Sequence, residues 1–167
     1  ASIEGPQARA VLVTAPPGIG KSRLQREFVK RVQNRCEDVC ILQGRADFVS
    51  AGSIYAPLSR ALRRLCGLTS EHLVSEQRAL LVKRLGQHLP NDSRDRILEF
   101  LGEICSIQLV EDPSPKLRAA RSDPKIMSTQ VCQAWVDFLW AETEQHPILL
   151  VLEDLHWGDA LSVTLVD

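Results

Sequence analysis

Apolar residues fall along the chain in two rhythms: short unbroken runs, and stripes that recur every three or four positions. Ala10–Thr14 (AVLVT) is a β-rich run of the kind buried in a parallel sheet. After a proline–glycine turn, Leu24, Phe28, Val29 and Val32 recur at helical spacing, which predicts a helix over Lys21–Asn34. Val39–Leu42 (VCIL) predicts a second strand, ended by Gly44. Strand, glycine loop, helix and strand make a βαβ unit over residues 1–47, which the crossover rule makes parallel and right-handed.

Residues 53–110 carry the helical rhythm alone. Leu58, Leu62 and Leu65 mark one face of Ile54–Cys66, and Leu73, Gln77, Leu80, Leu81 and Leu85 mark one of Glu71–Leu89. Ile97, Leu98, Leu101, Ile104 and Cys105 mark a third amphipathic helix. Ser70 ahead of Glu71, and Asp92 or Ser93, are suitable N-caps. Residues 111–125 (EDPSPKLRAARSDPK), with three prolines and mixed charge, predict a surface loop. Within residues 126–167, Met127, Val131, Trp135, Phe138 and Leu139 follow one helical face up to Glu144. Ile148–Leu152 then predicts a central strand buried on both faces, ending in the carboxylates Glu153 and Asp154. Asp159 can cap one more helix. The class is α/β.

Composition narrows the picture by exclusion. The 167 residues suffice for one domain with a core, and 20 basic residues against 21 acidic give a net charge of −1, so nothing pulls the whole chain toward nucleic acid or an anionic membrane. The longest apolar run, Ile148–Leu152, is far too short to cross a bilayer. The five cysteines fit no zinc spacing and read as thiols in a reducing compartment, which points to the cytoplasm. No Cys/His metal set and no Ser-His-Asp arrangement stands out. The basic residues Arg60, Arg63 and Arg64 read as a solvated helix face, and Lys116, Arg118, Arg121 and Lys125 as loop charges.

The chemistry is concentrated in residues 15–22, APPGIGKS, which match G-x-x-x-x-G-K-[ST] except for Ala15 in the first glycine position. A phosphate cradle needs backbone N–H groups converging at a helix start, together with a cation. Gly18 and Gly20 permit the backbone turns such a nest requires, Lys21 can reach the terminal phosphates, and the Ser22 hydroxyl can bind Mg²⁺. Gly18, Ile19, Gly20, Lys21, Ser22 and Arg23 are therefore the candidate nucleotide-binding residues. Pro16 and Pro17 lie early in the loop, ahead of the donating amides, and Ala15 needs only ordinary backbone there. Glu153 and Asp154, at the end of an apolar strand, are the candidate Mg²⁺-holding and catalytic carboxylates.

The stretches APPGIGKSRLQREF, GRAD…YAPLSRALRRL and HPILLVLEDLHWGDALS closely resemble the AAA-type ATPase module of STAND signal-transduction ATPases. That module occurs in large bacterial helix-turn-helix regulators, nucleotide cyclases and kinase-linked sensors. The resemblance covers nearly the whole chain and is most specific at the acidic pair with His156, Trp157 and Asp159. It implies a P-loop NTPase parallel sheet with flanking helices and a helical segment between the second and third strands. Lys21 and Ser22 match the Walker A contacts, and Glu153 and Asp154 the Walker B pair, where members more usually carry Asp first. Glu153 is one methylene longer, which leaves open which carboxylate positions Mg²⁺ and which orients water.

The resemblance also implies a C-terminally truncated module. In AAA order a further strand, which follows the acidic one in sequence and carries a polar sensor residue, separates the cradle strand from the acidic one, and this strand and the lid are expected to be missing from the fragment. The function implied is an ATP-binding, ATP-hydrolysing regulatory module of a larger protein, with hydrolysis expected of the full-length protein rather than of this fragment. Its partners would be ATP or ADP, other domains of the same polypeptide, and further copies in nucleotide-dependent self-association. Neither membrane nor direct nucleic acid is expected. The alternatives are a small P-loop phosphotransferase, an origin-recognition-type DNA-associated AAA protein, and a scaffold that no longer hydrolyses.

Overall fold

The computed structural model describes residues 8–46 and 54–154. Among them the chain is α/β, with six helices and a two-stranded parallel sheet. It divides into two compact units, Ala1–Val39 and Cys40–Asp167.

In the first unit, residues 10–14 were expected to form a strand and do not. Val11 and Leu12 stand 81% and 82% exposed. Apolar, β-rich composition does not by itself make a strand, because hydrogen bonds to a neighbour hold one, and this run has no partner strand among the described residues. Helix α1 spans Lys21–Arg35, one residue beyond the expected end, and Cys36 N–H closes it onto Val32 O at 2.9 Å. Of its four apolar positions, Val29 and Val32 are buried, while Leu24 and Phe28 remain exposed.

The second unit opens with strand β1, Cys40–Arg45, followed by α2 (Ala56–Leu65), α3 (Val74–Leu85), α4 (Arg94–Ile104), α5 (Pro115–Ser122), α6 (Pro124–Thr143) and strand β2, Ile148–Glu153. The strands pair in parallel from Cys40↔Ile148 to Arg45↔Glu153. Gly44 is needed where α2 meets β1, since a Cβ there would fall 2.0 Å from Pro57 O. Leu42, Leu58, Leu62, Leu81, Leu85, Phe100, Trp135 and Phe138 form one continuous core; all but Phe100 are positions that the helical and strand rhythms select. β2 corrects its expectation: all six of its residues are only partly buried. Its one partner strand among the described residues is β1.

The proline-rich stretch 111–125 is also corrected, because α5 and the start of α6 lie within it. Proline is well placed at the first position of a helix, where its missing N–H would have no partner. Pro115 and Pro124 sit there, behind the N-caps Ser114 and Asp123. Ser114 Oγ accepts from Leu117 N–H at 3.2 Å, and Asp123 Oδ1 accepts from Lys125 N–H at 2.8 Å. Replacing Asp123 with alanine is expected to cost about 1 kcal/mol of stability, and with asparagine only a few tenths, as read by urea denaturation. Equal losses would contradict the capping role.

Other polar positions differ from the simple pattern. α3 begins behind Leu73 rather than Ser70, with Glu76 Oε2 accepting from Leu73 N–H at 2.7 Å. Ser93 does precede α4. The basic face of α2 is not merely solvated. Arg63 donates to Cys105 O at 3.0 Å and Gln77 Oε1 at 3.2 Å, and Arg60 donates to Arg45 O at 2.7 Å. Arg121 pairs with Glu103 between α5 and α4, and Arg96 with Asp137 between α4 and α6. No helix among the described residues is long and apolar enough to cross a membrane.

Candidate functional site

The loop ahead of α1 is shaped by its glycines. Gly18 and Gly20 take φ values of 80° and 100°, in the region that costs a residue with a Cβ about 1 kcal/mol or more. No atom within 4 Å would obstruct a Cβ at either position, so backbone strain rather than crowding selects glycine. Gly20 is the N-cap of α1 and has no side chain with which to satisfy the first-turn amides. The first turn also holds no acidic residue. The positive end of the helix, with its outward N–H groups, is thus open to an anion.

Lys21 lies over this loop. Its Nζ donates to Ala15 O at 2.6 Å and to Pro16 O at 3.0 Å. Both acceptors are main-chain carbonyls, so the methyl group that distinguishes Ala15 from glycine does not affect them. Arg23 N–H donates to Gly20 O at 3.0 Å, closing the first turn, and Arg26 Nε donates to Ser22 O at 3.1 Å. Gly18, Ile19, Gly20, Ser22 and Arg23 are exposed and Lys21 half-buried, so the residues expected to meet a ligand are accessible.

Glu153 and Asp154 stand at the end of β2 in the second unit. Asp154 has φ 56°, an uncommon value for a residue with a side chain. Its Oδ2 accepts from Arg45 Nε at 2.9 Å, with the two side chains 29% and 62% exposed respectively. An ion pair this exposed contributes roughly 0.2–1 kcal/mol and yields to a competing charge. Glu153 is half-buried, and its carboxylate has no hydrogen-bond or ion partner among the described residues. Arg45 was not foreseen, although the sequence held the signal: two apolar runs, one ending in Arg45 and the other in Glu153–Asp154, brought level by the parallel register. His156, Trp157 and Asp159 lie outside the described residues.

A second polar constellation in the same unit was missed entirely. The Glu142 side chain is 1% exposed, and its carboxylate is fully engaged. Arg84 Nη1 and Nη2 donate to Oε1 and Oε2 at 2.9 and 2.8 Å, His88 Nδ1 lies 3.0 Å from Oε1, and His146 Nε2 lies 2.9 Å from Oε2. Burial alone would raise the Glu142 carboxyl. The Arg84 contacts, with those of His146 and His88, outweigh it and hold the group at about 2. Cys40 Sγ stands 3.5 Å from Arg84 Nη2, and burial together with the Glu142 charge pushes its thiol up to about 11. The sequence did contain a sign, since Arg84 and His88, like Glu142 and His146, are four residues apart.

Over residues 1–167 the chain matches the protein family described as AAA ATPase domain. No curated protein and no solved structure matches it.

Proposed function

The chain belongs to the AAA ATPase domain family, and from that premise we propose that residues 18–23 bind the phosphates of ATP. The observation that carries the reading is the glycine-turned, uncapped N-terminus of α1, with the Lys21 ammonium held on the loop carbonyls of Ala15 and Pro16. The donor set suits a polyphosphate. The Lys21 and Ser22 amides, without a backbone partner among the described residues, and the helix dipole favour an anion, and Lys21 exchanges two neutral carbonyls for charged oxygens. Ser22, at the second position of α1, would hold Mg²⁺ through its hydroxyl, and the metal when bound would neutralise charge between the phosphates.

By the sequence resemblance, Glu153 and Asp154 are the candidate carboxylates for the metal and the water. Glu153, whose carboxylate has no partner among the described residues, is the one we assign to the metal. Asp154, whose Oδ2 accepts from Arg45 Nε, is the one we assign to the attacking water. Nucleotide state then serves as a switch for other domains of a cytoplasmic signalling protein, including those of a transcription regulator, and for self-association. The sequence resemblance to STAND ATPases supports that wider role.

The test separates binding from turnover. In the full-length protein, Glu153→Gln and Asp154→Asn each remove charge while keeping volume. At least one is expected to retain ATP affinity while losing about 100-fold in hydrolysis, read by a phosphate-release assay beside a binding titration. Parent-level turnover in both would reduce the pair to a strand terminus and favour the non-hydrolysing scaffold.

A further inference from the structure

The Glu142 constellation holds more ligand chemistry than an ion pair requires. One donor atom each from Cys40, Glu142 and His146 lie within 4.8 Å of one another, and the three come from the start of β1, the end of α6 and the turn before β2. His88 adds a fourth group: its Nδ1 is 3.0 Å from Glu142 Oε1, and its ring centroid is 5.5 Å from that of His146. Sulfur, imidazole nitrogen and carboxylate oxygen together are the ligand set of a tetrahedral zinc ion. With bonds of about 2.0–2.3 Å, donor atoms of such a site stand roughly 3–4 Å apart, so only small inward movements separate these groups from coordination.

We propose that Cys40, Glu142 and His146 bind a borderline divalent cation of the zinc class, with His88 beside Glu142 at the rim of the site. This site is independent of the phosphate-binding loop and does not rest on the nucleotide reading.

The surrounding groups fit such an ion. Arg84 holds both Glu142 oxygens and fixes the carboxylate plane, the supporting role that hydrogen-bonded partners play around ligating carboxylates. His88 and His146 keep 19% and 17% of their side chains exposed, which leaves the ion a route in from solvent past the imidazoles. Binding replaces the Cys40 thiol proton with the metal, and that proton leaves to solvent. At His146 the ring proton moves between nitrogens with no net change. Two positive charges enter as one proton departs, so the site gains one net positive charge beside the Glu142 carboxylate.

The experiment titrates Zn²⁺ and Co²⁺ into full-length protein stripped of metal. We expect one equivalent of Zn²⁺ to bind, and Co²⁺ to give the near-ultraviolet charge-transfer band of a thiolate ligand together with visible bands of tetrahedral strength. Cys40→Ser should abolish the thiolate band, and both it and His146→Ala should weaken Zn²⁺ binding by at least about tenfold. Circular dichroism melts confirm that each variant is folded before titration. His88→Ala serves as a second variant, because its side chain lies at the solvent edge and its loss leaves the Arg84–Glu142 pair in place. The proposal is overturned if Co²⁺ produces no thiolate band in the parent protein, or if folded Cys40→Ser binds Zn²⁺ as tightly as the parent. Either result would leave the cluster as an ion-pair network alone.

Discussion

Glu142→Ala is expected to destabilise the protein by about 3–5 kcal/mol at pH 7, because it leaves the Arg84 guanidinium partly buried and without its counter-charge. His88 and His146 lose an acceptor in the same step. Such a loss is a large share of the roughly 5–15 kcal/mol that holds a domain together, so the variant should be close to unfolding at body temperature. Replacing the pair together, Arg84→Met with Glu142→Leu, should recover much of it, since hydrophobic residues of similar volume remove both desolvation penalties at once. Urea unfolding of the two variants decides the matter. If the double replacement is as unstable as Glu142→Ala alone, packing rather than charge explains the site.

The same carboxylate gives the protein a pH dependence of defined sign. Its pKa is lowered from an ordinary 4.5 to about 2 on folding. The stabilisation is therefore complete above the unfolded value and is lost as pH falls through the folded one. The difference is worth on the order of 3 kcal/mol. Stability of the parent should fall between about pH 4.5 and 2, and that component should be missing from the double replacement.

These charged groups show where reading the sequence stops. Hydrophobic periodicity located α1, α2, α3, α4 and α6 to within a few residues, and it selected Leu58, Leu62, Leu81, Leu85, Trp135 and Phe138 for the core. That succeeds because burial of one stripe is what stabilises an amphipathic helix. The pattern failed where local chemistry competes with composition. Pro115 and Pro124 read as breakers, but behind Ser114 and Asp123 they start helices. Strands were harder, since a strand depends on partners that its own residues do not name. Ala10–Thr14 and Ile148–Leu152 are both apolar, β-rich runs, yet only the second is paired among the described residues. The candidate loop was legible because its glycines and lysine occupy fixed spacings. Arg45 and the Glu142 cluster were not, because their meaning arises from strand register and helix packing between residues up to 109 positions apart.

Lys21→Ala has the largest expected effect on function. The Nζ group now bridges two loop carbonyls, and on binding it would trade them for phosphate oxygens. Hydrogen bonds to charged groups are worth about 1.5–3 kcal/mol each, so losing two of them converts to at least roughly 100-fold in affinity. The fold should tolerate the change, because both bonds are made to the loop itself and the core cluster contains no residue of α1. Affinity for adenosine, which lacks phosphate, should not move.

The most direct measurement is calorimetric titration of Mg–ATP into the full-length protein and its Lys21→Ala variant, with both shown to be folded. A phosphate-binding loop predicts saturable binding in the parent and an affinity lower by at least roughly 100-fold in the variant. Equal affinity in the two proteins, or no saturable binding in the parent, would contradict it.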